Sequence, residues 1–285
     1  MNTNPEIILR DWCQRPSVLW DIKTTELVVH REWNILRRKF FWDFDDYSSA
    51  GIVLTQPEIS GDKKPILPES RKPQIFLESP SGSINEFYNQ NGLEFDTQNT
   101  PERKDKVVDA LELLNNTPEL MNSICLLVRT IGILKSNNRD SDVSYSHPKL
   151  PFSIFISLCD DRNPISAARV AESILHEAMH LKLSLIQKAV ELLSSEKDIY
   201  FFAPWRQEMR PANGVLHGIF VFRAIFDYFL KIIETSSNRD IRDHAHKRVD
   251  DIRRDMSEVQ NFYNSDALSP LGKQFAKSLL TIADS

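Results

Sequence analysis

The residues best suited to do chemistry are two histidines in the segment His176-Glu-Ala-Met-His180. If this segment is helical, the two imidazoles lie one turn apart on the same face and can both reach one metal ion. Apolar residues flank the pattern from Ile174 to Leu183, which predicts a half-buried helical face. We therefore predict a single-metal enzyme site that includes His176 and His180, with Glu177 beside any metal-bound water.

A metal ion held by two histidines needs a further protein ligand. Leu183 and Ile186 stand where a metzincin carries its glycine and third histidine, so that class is excluded. Thermolysin-like enzymes use a glutamate on a following helix within an Asn-Glu pattern. Glu191 and Glu196 lack this pattern, and we expect both on solvated surface.

His217 is the strongest remaining candidate for the third ligand. It lies near the start of the next apolar helical pattern, so antiparallel packing of two helices would return it to the motif. A satisfied core histidine is the alternative, and spacing alone leaves both interpretations open. His147 and Glu208 are weaker candidates. His244 and His246 are two residues apart and face different ways on a helix, so a shared metal there is not expected.

Two arginines lie between the motif and His217, in the segment Ala203-Pro-Trp-Arg-Gln-Glu-Met-Arg-Pro211. Arg206 and Arg210 are held there between aromatic residues and prolines. An arginine can grip a carboxylate through two parallel hydrogen bonds. An ordinary structural ion pair is the alternative for either arginine.

The elements that must position these residues are mostly helical. The pattern predicts helices over residues 1–42, from Thr100-Pro101 to about Leu134 with a break near Thr117-Pro118, from Asn163-Pro164 to about Ser194, and over about 213–234, 238–264 and 268–283. Residues 43–100 are predicted as loop with short strands at Gly51–Thr55 and Gln74–Leu77, and residues 151–158 as a half-buried strand. Residues 198–211 are predicted as an aromatic, proline-rich connection.

This pattern predicts a mainly α protein with a small β component (α+β). The HExxH helix is expected beside a short strand, an arrangement that is zincin-like in part. We predict two regions, with residues 1–100 packing on a catalytic domain of residues 101–285. Strand Phe152–Leu158 is a candidate edge for docking an extended peptide, and a buried structural strand is its alternative.

Composition excludes several functional classes. The 285 residues carry a net charge of −5, which leaves no basic surface for nucleic acid. No run approaches the length of a membrane helix, and residues 1–10 lack a secretory signal, so a cytoplasmic location is expected. Three scattered cysteines indicate neither a disulfide framework nor a zinc knuckle. The usual glycine-rich phosphate loops are missing as well.

The ordered set of motifs resembles a known family. Ser144-Tyr-Ser-His-Pro-Lys-Leu-Pro-Phe-Ser-Ile-Phe-Ile-Ser157, the HExxH helix, Pro-Trp-Arg with Arg-Pro, and Val-Leu-His-Gly resemble the HExxH-type peptide β-hydroxylases, over roughly residues 140–235. These are non-haem iron, 2-oxoglutarate-dependent oxygenases that modify ribosomally made peptides.

The resemblance implies Fe(II) bound by His176, His180 and His217. It implies that Arg206 or Arg210 anchors the distal carboxylate of 2-oxoglutarate, and the sequence leaves that choice open. It further implies O₂ as co-substrate and a precursor peptide as partner. An oxygenase needs no base to activate water, so Glu177 would instead orient a ligand or the substrate.

Two other classes compete with the oxygenase. In a zinc metallopeptidase, Glu177 would be the general base that activates a zinc-bound water. Imidazole ligands suit both iron and zinc, so they do not separate the two classes. In a non-catalytic peptide-binding protein the metal would be structural, which favours a closed site with cysteine ligands. None of the three cysteines stands next to the motif, which counts against this class.

Overall fold

A computed structural model describes most of the chain. The described residues are 4–16, 18–40, 75–78, 83–90, 92–96, 101–135, 143–147, 150–159, 163–194 and 199–281. The strand predicted at residues 51–55 lies outside them.

The described elements are mainly helical with a small sheet component, which confirms the predicted mainly α, α+β class. In chain order they are α1 (Pro5–Gln14), α2 (Ile22–Phe40), β1 (Phe76–Glu78), α3 (Ser83–Gln90), α4 (Pro101–Asn115), α5 (Pro118–Leu127), β2 (Thr130–Leu134), β3 (Ser144–Ser146), β4 (Ser153–Ser157), α6 (Pro164–Gln187), β5 (Tyr200–Ala203), β6 (Glu208–Pro211), α7 (Ala212–Thr235), α8 (Arg239–Glu258), a 3₁₀ turn (Gln260–Asn264) and α9 (Pro270–Leu280). None of the described helices combines the length and the apolarity needed to cross a membrane.

The chain divides into two compact units. One comprises residues 29–181, and the other comprises residues 1–28 together with 182–285. This division does not fall at residue 100, where the sequence changes in composition. Helices α2 and α6 each contribute residues to both units, so neither boundary coincides with a turn or a linker that a sequence pattern would mark.

The unit of residues 29–181 contains a four-stranded sheet of order β1-β2-β4-β3. Strands β1, β2 and β4 run parallel, and β3 is antiparallel to β4. Both central strands are buried along their whole length. Tyr88, Phe95 and Phe155 pack edge-on and tilted against one another over this sheet.

The prediction of a helix as far as Leu134 is wrong. The break at Thr117-Pro118 is confirmed, but the helix after it ends at Leu127 and residues Thr130–Leu134 form strand β2. A short apolar run buried on both sides has no alternation, so its periodicity does not separate a strand from a helix.

The prediction that Phe152–Leu158 offers an edge for docking a peptide is also wrong, and its alternative, a buried structural strand, is confirmed. Strand β4 occupies the centre of this segment and pairs with β2 on one side and β3 on the other. Its backbone donors and acceptors are therefore used within the sheet. Strand β3 is the outermost strand on this side of the described sheet.

Helix α6 carries the HExxH motif and begins where the sequence predicts. Pro164 occupies its first turn, and the Asn163 side chain accepts a hydrogen bond from the backbone N–H of Ser166 at 3.0 Å. The helix ends at Gln187, seven residues earlier than predicted. The following segment instead pairs with the residues just before α9, where the backbone N–H of Ser194 donates to the carbonyl of Ala267 at 2.8 Å.

The unit of residues 1–28 and 182–285 is built around α7, one side of which is buried along its length. Helices α7 and α9 confirm two of the predicted C-terminal helices within a few residues. The helix predicted over 238–264 ends earlier, at Glu258, and the 3₁₀ turn Gln260–Asn264 completes that span. Within residues 198–211, predicted as an aromatic, proline-rich connection, Tyr200–Ala203 and Glu208–Pro211 form the antiparallel hairpin β5–β6. The aromatic residues and prolines of this segment favoured a connecting loop, so the sequence did not predict the two short strands.

A fully buried lysine joins two helices of this unit. The Lys182 ammonium donates to the carbonyl of Asp21 at 3.2 Å and to Oγ1 of Thr25 at 2.8 Å, and lies 5.3 Å from the centre of the Trp12 ring. Burial lowers the pKa of Lys182 to about 7, with partial compensation from Asp21. Through these contacts, Lys182 links α6 to the start of α2.

Candidate metal centre

The two motif histidines face one another on helix α6. Their Nε2 atoms lie 3.1 Å apart, and their ring centroids lie 4.7 Å apart. Both residues are half-buried, whereas their neighbours Ala178 and Met179 are fully buried, as predicted for a half-buried helical face. A metal ion at the usual ~2.0–2.1 Å from each Nε2 atom would subtend an N–metal–N angle of about 100°, so the pair fits a single ion.

The third ligand is not identified by side-chain clustering. In the part of the chain that the structure describes, no group of three or more His, Cys, Asp or Glu side chains is arranged to hold a metal ion. The pair on α6 supplies two nitrogen ligands. The assignment of a third stays a prediction.

Glu177 is buried beside this pair and is held by strand β3. Its Oε1 atom accepts a hydrogen bond of 2.6 Å from the Ser144 hydroxyl and lies 3.8 Å from Nε2 of His176. Burial raises the pKa of the neighbouring Tyr145, and the negative charge of Glu177 raises it further. No local sequence pattern links Ser144 to Glu177, since the two residues are 33 positions apart.

His217 lies in the second turn of α7, in the other unit. Burial lowers its pKa to about 4, so its imidazole is neutral at physiological pH. A neutral imidazole retains the lone pair that a metal ligand requires.

Gln187, a residue that the sequence analysis missed, contacts His217. Its Oε1 atom lies 2.9 Å from Nε2 of His217, and its Nε2 atom donates to Oδ1 of Asn213 at 2.8 Å. Gln187 is the last residue of α6, while Asn213 and His217 lie one turn apart on α7.

The two arginines have different environments on the hairpin. Arg206 lies in the exposed turn between β5 and β6. Arg210 is half-buried on β6, and its Nη1 atom donates to Oε1 of Glu208 at 2.8 Å. A Cβ atom added to Gly214 would lie 3.3 Å from Nε of Arg210, so this guanidinium packs against the first turn of α7.

The weaker ligand candidates lie in different surroundings. Glu208 is exposed and paired with Arg210, and His147 is half-buried with its ring 6.0 Å from that of Tyr145. His244 packs edge-on against Phe229, whereas His246 is exposed, which confirms that the two face different ways. Glu191 is exposed as predicted, and Glu196 lies outside the described residues.

The hairpin turn is held on α7 by Trp205, whose indole covers Gly218 and lies 5.2 Å from the Phe222 ring. A methyl group at position 218 would overlap this indole. We expect Gly218→Ala to lower the free energy of unfolding by ~1–3 kcal/mol, since the indole must move. Thermal or urea unfolding followed by tryptophan fluorescence would measure it.

Gly214→Ala is the matched control on the same helix. The three atoms nearest to its added methyl group all belong to the flexible Arg210 side chain, the first of them at 3.3 Å. Both substitutions gain about 0.8–1.0 kcal/mol of helix propensity. A loss of stability that occurs in Gly218→Ala but not in Gly214→Ala would therefore be caused by the overlap of the added methyl group with the Trp205 indole. Equal stability changes in both variants would show that Trp205 does not constrain the turn.

Comparison with known proteins does not classify the chain: no family model matches it, and no curated protein matches it either.

Proposed function

We propose that this protein is a cytoplasmic Fe(II)- and 2-oxoglutarate-dependent oxygenase that hydroxylates a side-chain β-carbon of a ribosomally made peptide. The observation that carries the proposal is the pair of Nε2 atoms 3.1 Å apart on one helix, suited to bind one metal ion. Its place in the ordered set of motifs that resembles the HExxH-type peptide β-hydroxylases favours iron over zinc.

The chain would hold iron through neutral imidazoles. His176 and His180 supply two nitrogens, and the resemblance makes His217 the third ligand. Its depressed pKa keeps it deprotonated at physiological pH, as ligation requires. When bound, iron supplies the activation of O₂, coupled to the oxidative decarboxylation of 2-oxoglutarate.

Arg210 is the better candidate for the distal carboxylate of 2-oxoglutarate. Arg210 is half-buried as a residue, and its guanidinium lies against the first turn of α7 at Gly214, three residues before His217. A partly desolvated arginine binds a carboxylate more strongly than an exposed one. Arg206 is exposed in the hairpin turn, whereas Arg210 contacts Gly214 and donates a hydrogen bond to Glu208.

Glu177 would act as a positioning residue in an oxygenase. The hydrogen bond from Ser144 fixes its carboxylate 3.8 Å from Nε2 of His176, where its negative charge would lie close to a metal ion bound by that nitrogen and stabilise it. In this role Glu177 does not exchange protons with the substrate.

The peptide substrate would dock along strand β3. This strand is the outermost on its side of the described sheet, and its Ser144 contacts Glu177 of the motif. An extended peptide that adds to such an edge gains main-chain hydrogen bonds and lies alongside the motif helix. An antiparallel outer strand beside an HExxH helix is also the feature that supports the zincin-like likeness.

A zinc metallopeptidase is the second candidate, because Glu177 is buried directly beside the histidine pair. The substitution Glu177→Gln separates the two functions. Glutamine keeps the acceptor for the Ser144 hydroxyl but cannot accept a proton from water. We expect turnover of 2-oxoglutarate, measured as succinate formation, to fall by no more than about tenfold. This is the low end of the ~10–100-fold cost of changing a residue that contacts a metal ligand, because glutamine preserves the hydrogen bond with Ser144.

A peptidase would behave differently in the same variant. Removal of its general base would lower zinc-dependent peptide cleavage by at least ~10²–10⁴-fold. Mass spectrometry of a peptide mixture incubated with the zinc- or iron-loaded protein would record both cleavage and a gain of one oxygen atom.

The proposed function is tested first by anaerobic addition of Fe(II) and then 2-oxoglutarate. We expect a weak visible charge-transfer band, which requires both the metal and a chelating 2-oxo acid. No band, combined with tight zinc retention and peptide cleavage that depends on Glu177, would replace the oxygenase with the peptidase.

A further inference from the structure

The carboxamide of Gln187 bridges two side chains of α7. Asn213 and His217 are four residues apart and therefore neighbours on one helical face. Gln187 contacts both of them, with Nε2 at 2.8 Å from Oδ1 of Asn213 and Oε1 at 2.9 Å from Nε2 of His217.

The direction of these two bonds decides the tautomer of His217. The amide group of Gln187 donates to the Asn213 carbonyl oxygen, so its own carbonyl oxygen faces the imidazole. A carbonyl oxygen only accepts, so the imidazole must donate from Nε2. A neutral imidazole that carries its proton on Nε2 has its basic lone pair on Nδ1.

We propose that Gln187 is the positioning residue of His217: it holds the Nε2–H tautomer, so that His217 would bind a metal through Nδ1. The inference rests on the proposed function for the metal, but the tautomer itself is a property of this chain alone. His217 would thereby differ from His176 and His180, whose Nε2 atoms face each other.

The tautomer is tested on the metal-free protein. Two-bond ¹H–¹⁵N correlations of the imidazoles, with the His217 signals assigned by their loss in His217→Asn, report which nitrogen carries the proton. We expect an Nε2–H tautomer in the wild type and a mixture of tautomers in Gln187→Met, which keeps the side-chain length but has no carbonyl. An unchanged tautomer in Gln187→Met would overturn the proposal.

Asn213→Asp is the control for the direction of the bridge. An aspartate only accepts, so Gln187 must still donate to position 213 and present its carbonyl to His217. A negative charge in the first turn of α7 is also favourable for the helix. We expect the wild-type tautomer in this variant; an Nδ1–H tautomer would overturn the assigned direction of the bridge.

The metal step is tested by titration with Co(II), which reports its ligands by visible absorption. We expect Gln187→Met to weaken Co(II) binding by about 10–100-fold, and Gln187→Glu, which retains an acceptor, to restore it. Unchanged binding in Gln187→Met with loss in His217→Ala would overturn positioning by Gln187. Unchanged binding in both variants would overturn His217 as a ligand, while the tautomer result would stand on its own.

Discussion

His176→Ala is expected to weaken binding of Fe(II) or Co(II) by more than ~100-fold and to abolish the charge-transfer band with 2-oxoglutarate. The Nε2 atoms of His176 and His180 lie 3.1 Å apart, so the substitution removes one of the two nitrogen ligands that helix α6 would supply to the ion. Changes to residues that only contact metal ligands already cost about 10–100-fold, so removal of a ligand should cost more. Metal titration by absorption or calorimetry measures the effect.

His180→Ala should behave in the same way, because the two imidazoles lie one turn apart on α6 and each would supply one nitrogen ligand to the same ion. His246→Ala is the matched control, since His246 is exposed on α8. Circular dichroism should show that all three variants keep their helices. If His176→Ala and His180→Ala both kept full metal affinity, these residues would not form a metal site, and both proposed enzyme classes would be contradicted.

Arg210→Ala is expected to raise KM for 2-oxoglutarate by about 10- to 150-fold with little change in metal affinity. This range corresponds to the ~1.5–3 kcal/mol of a hydrogen bond to a charged group. Arg210 also donates to Glu208, so its loss leaves only an exposed carboxylate that water can solvate. Steady-state succinate formation and metal titration together separate this effect from loss of the ion.

Arg206→Ala is the comparison, since Arg206 is exposed in the turn of the same hairpin. We expect a change in KM of less than about threefold, as for most exposed charges. Arg210→Lys should recover only part of the affinity, because lysine cannot form two parallel bonds. A large effect of Arg206→Ala with none in Arg210→Ala would exchange the roles of the two arginines.

The amino-acid sequence determined the features that depend on neighbouring residues. The start of the HExxH helix at Asn163-Pro164 follows from a side-chain cap and a proline in the first turn, both of which are local. The helical spacing of His176 and His180 also required no tertiary information, and their Nε2 atoms do face each other. The helix of His217 was predicted within a residue at each end for the same reason.

Only the tertiary structure decided which residues support the candidate site. Strand β2 is a strand because it pairs with β1 and β4, and its apolar sequence alone fits a helix equally well. Ser144 reaches Glu177 because β3 lies beside α6, and Gln187 reaches His217 because α6 ends beside α7 in their common unit. These partners are 33 and 30 residues apart, and a hydrogen bond across such a separation is set by packing that no local pattern records.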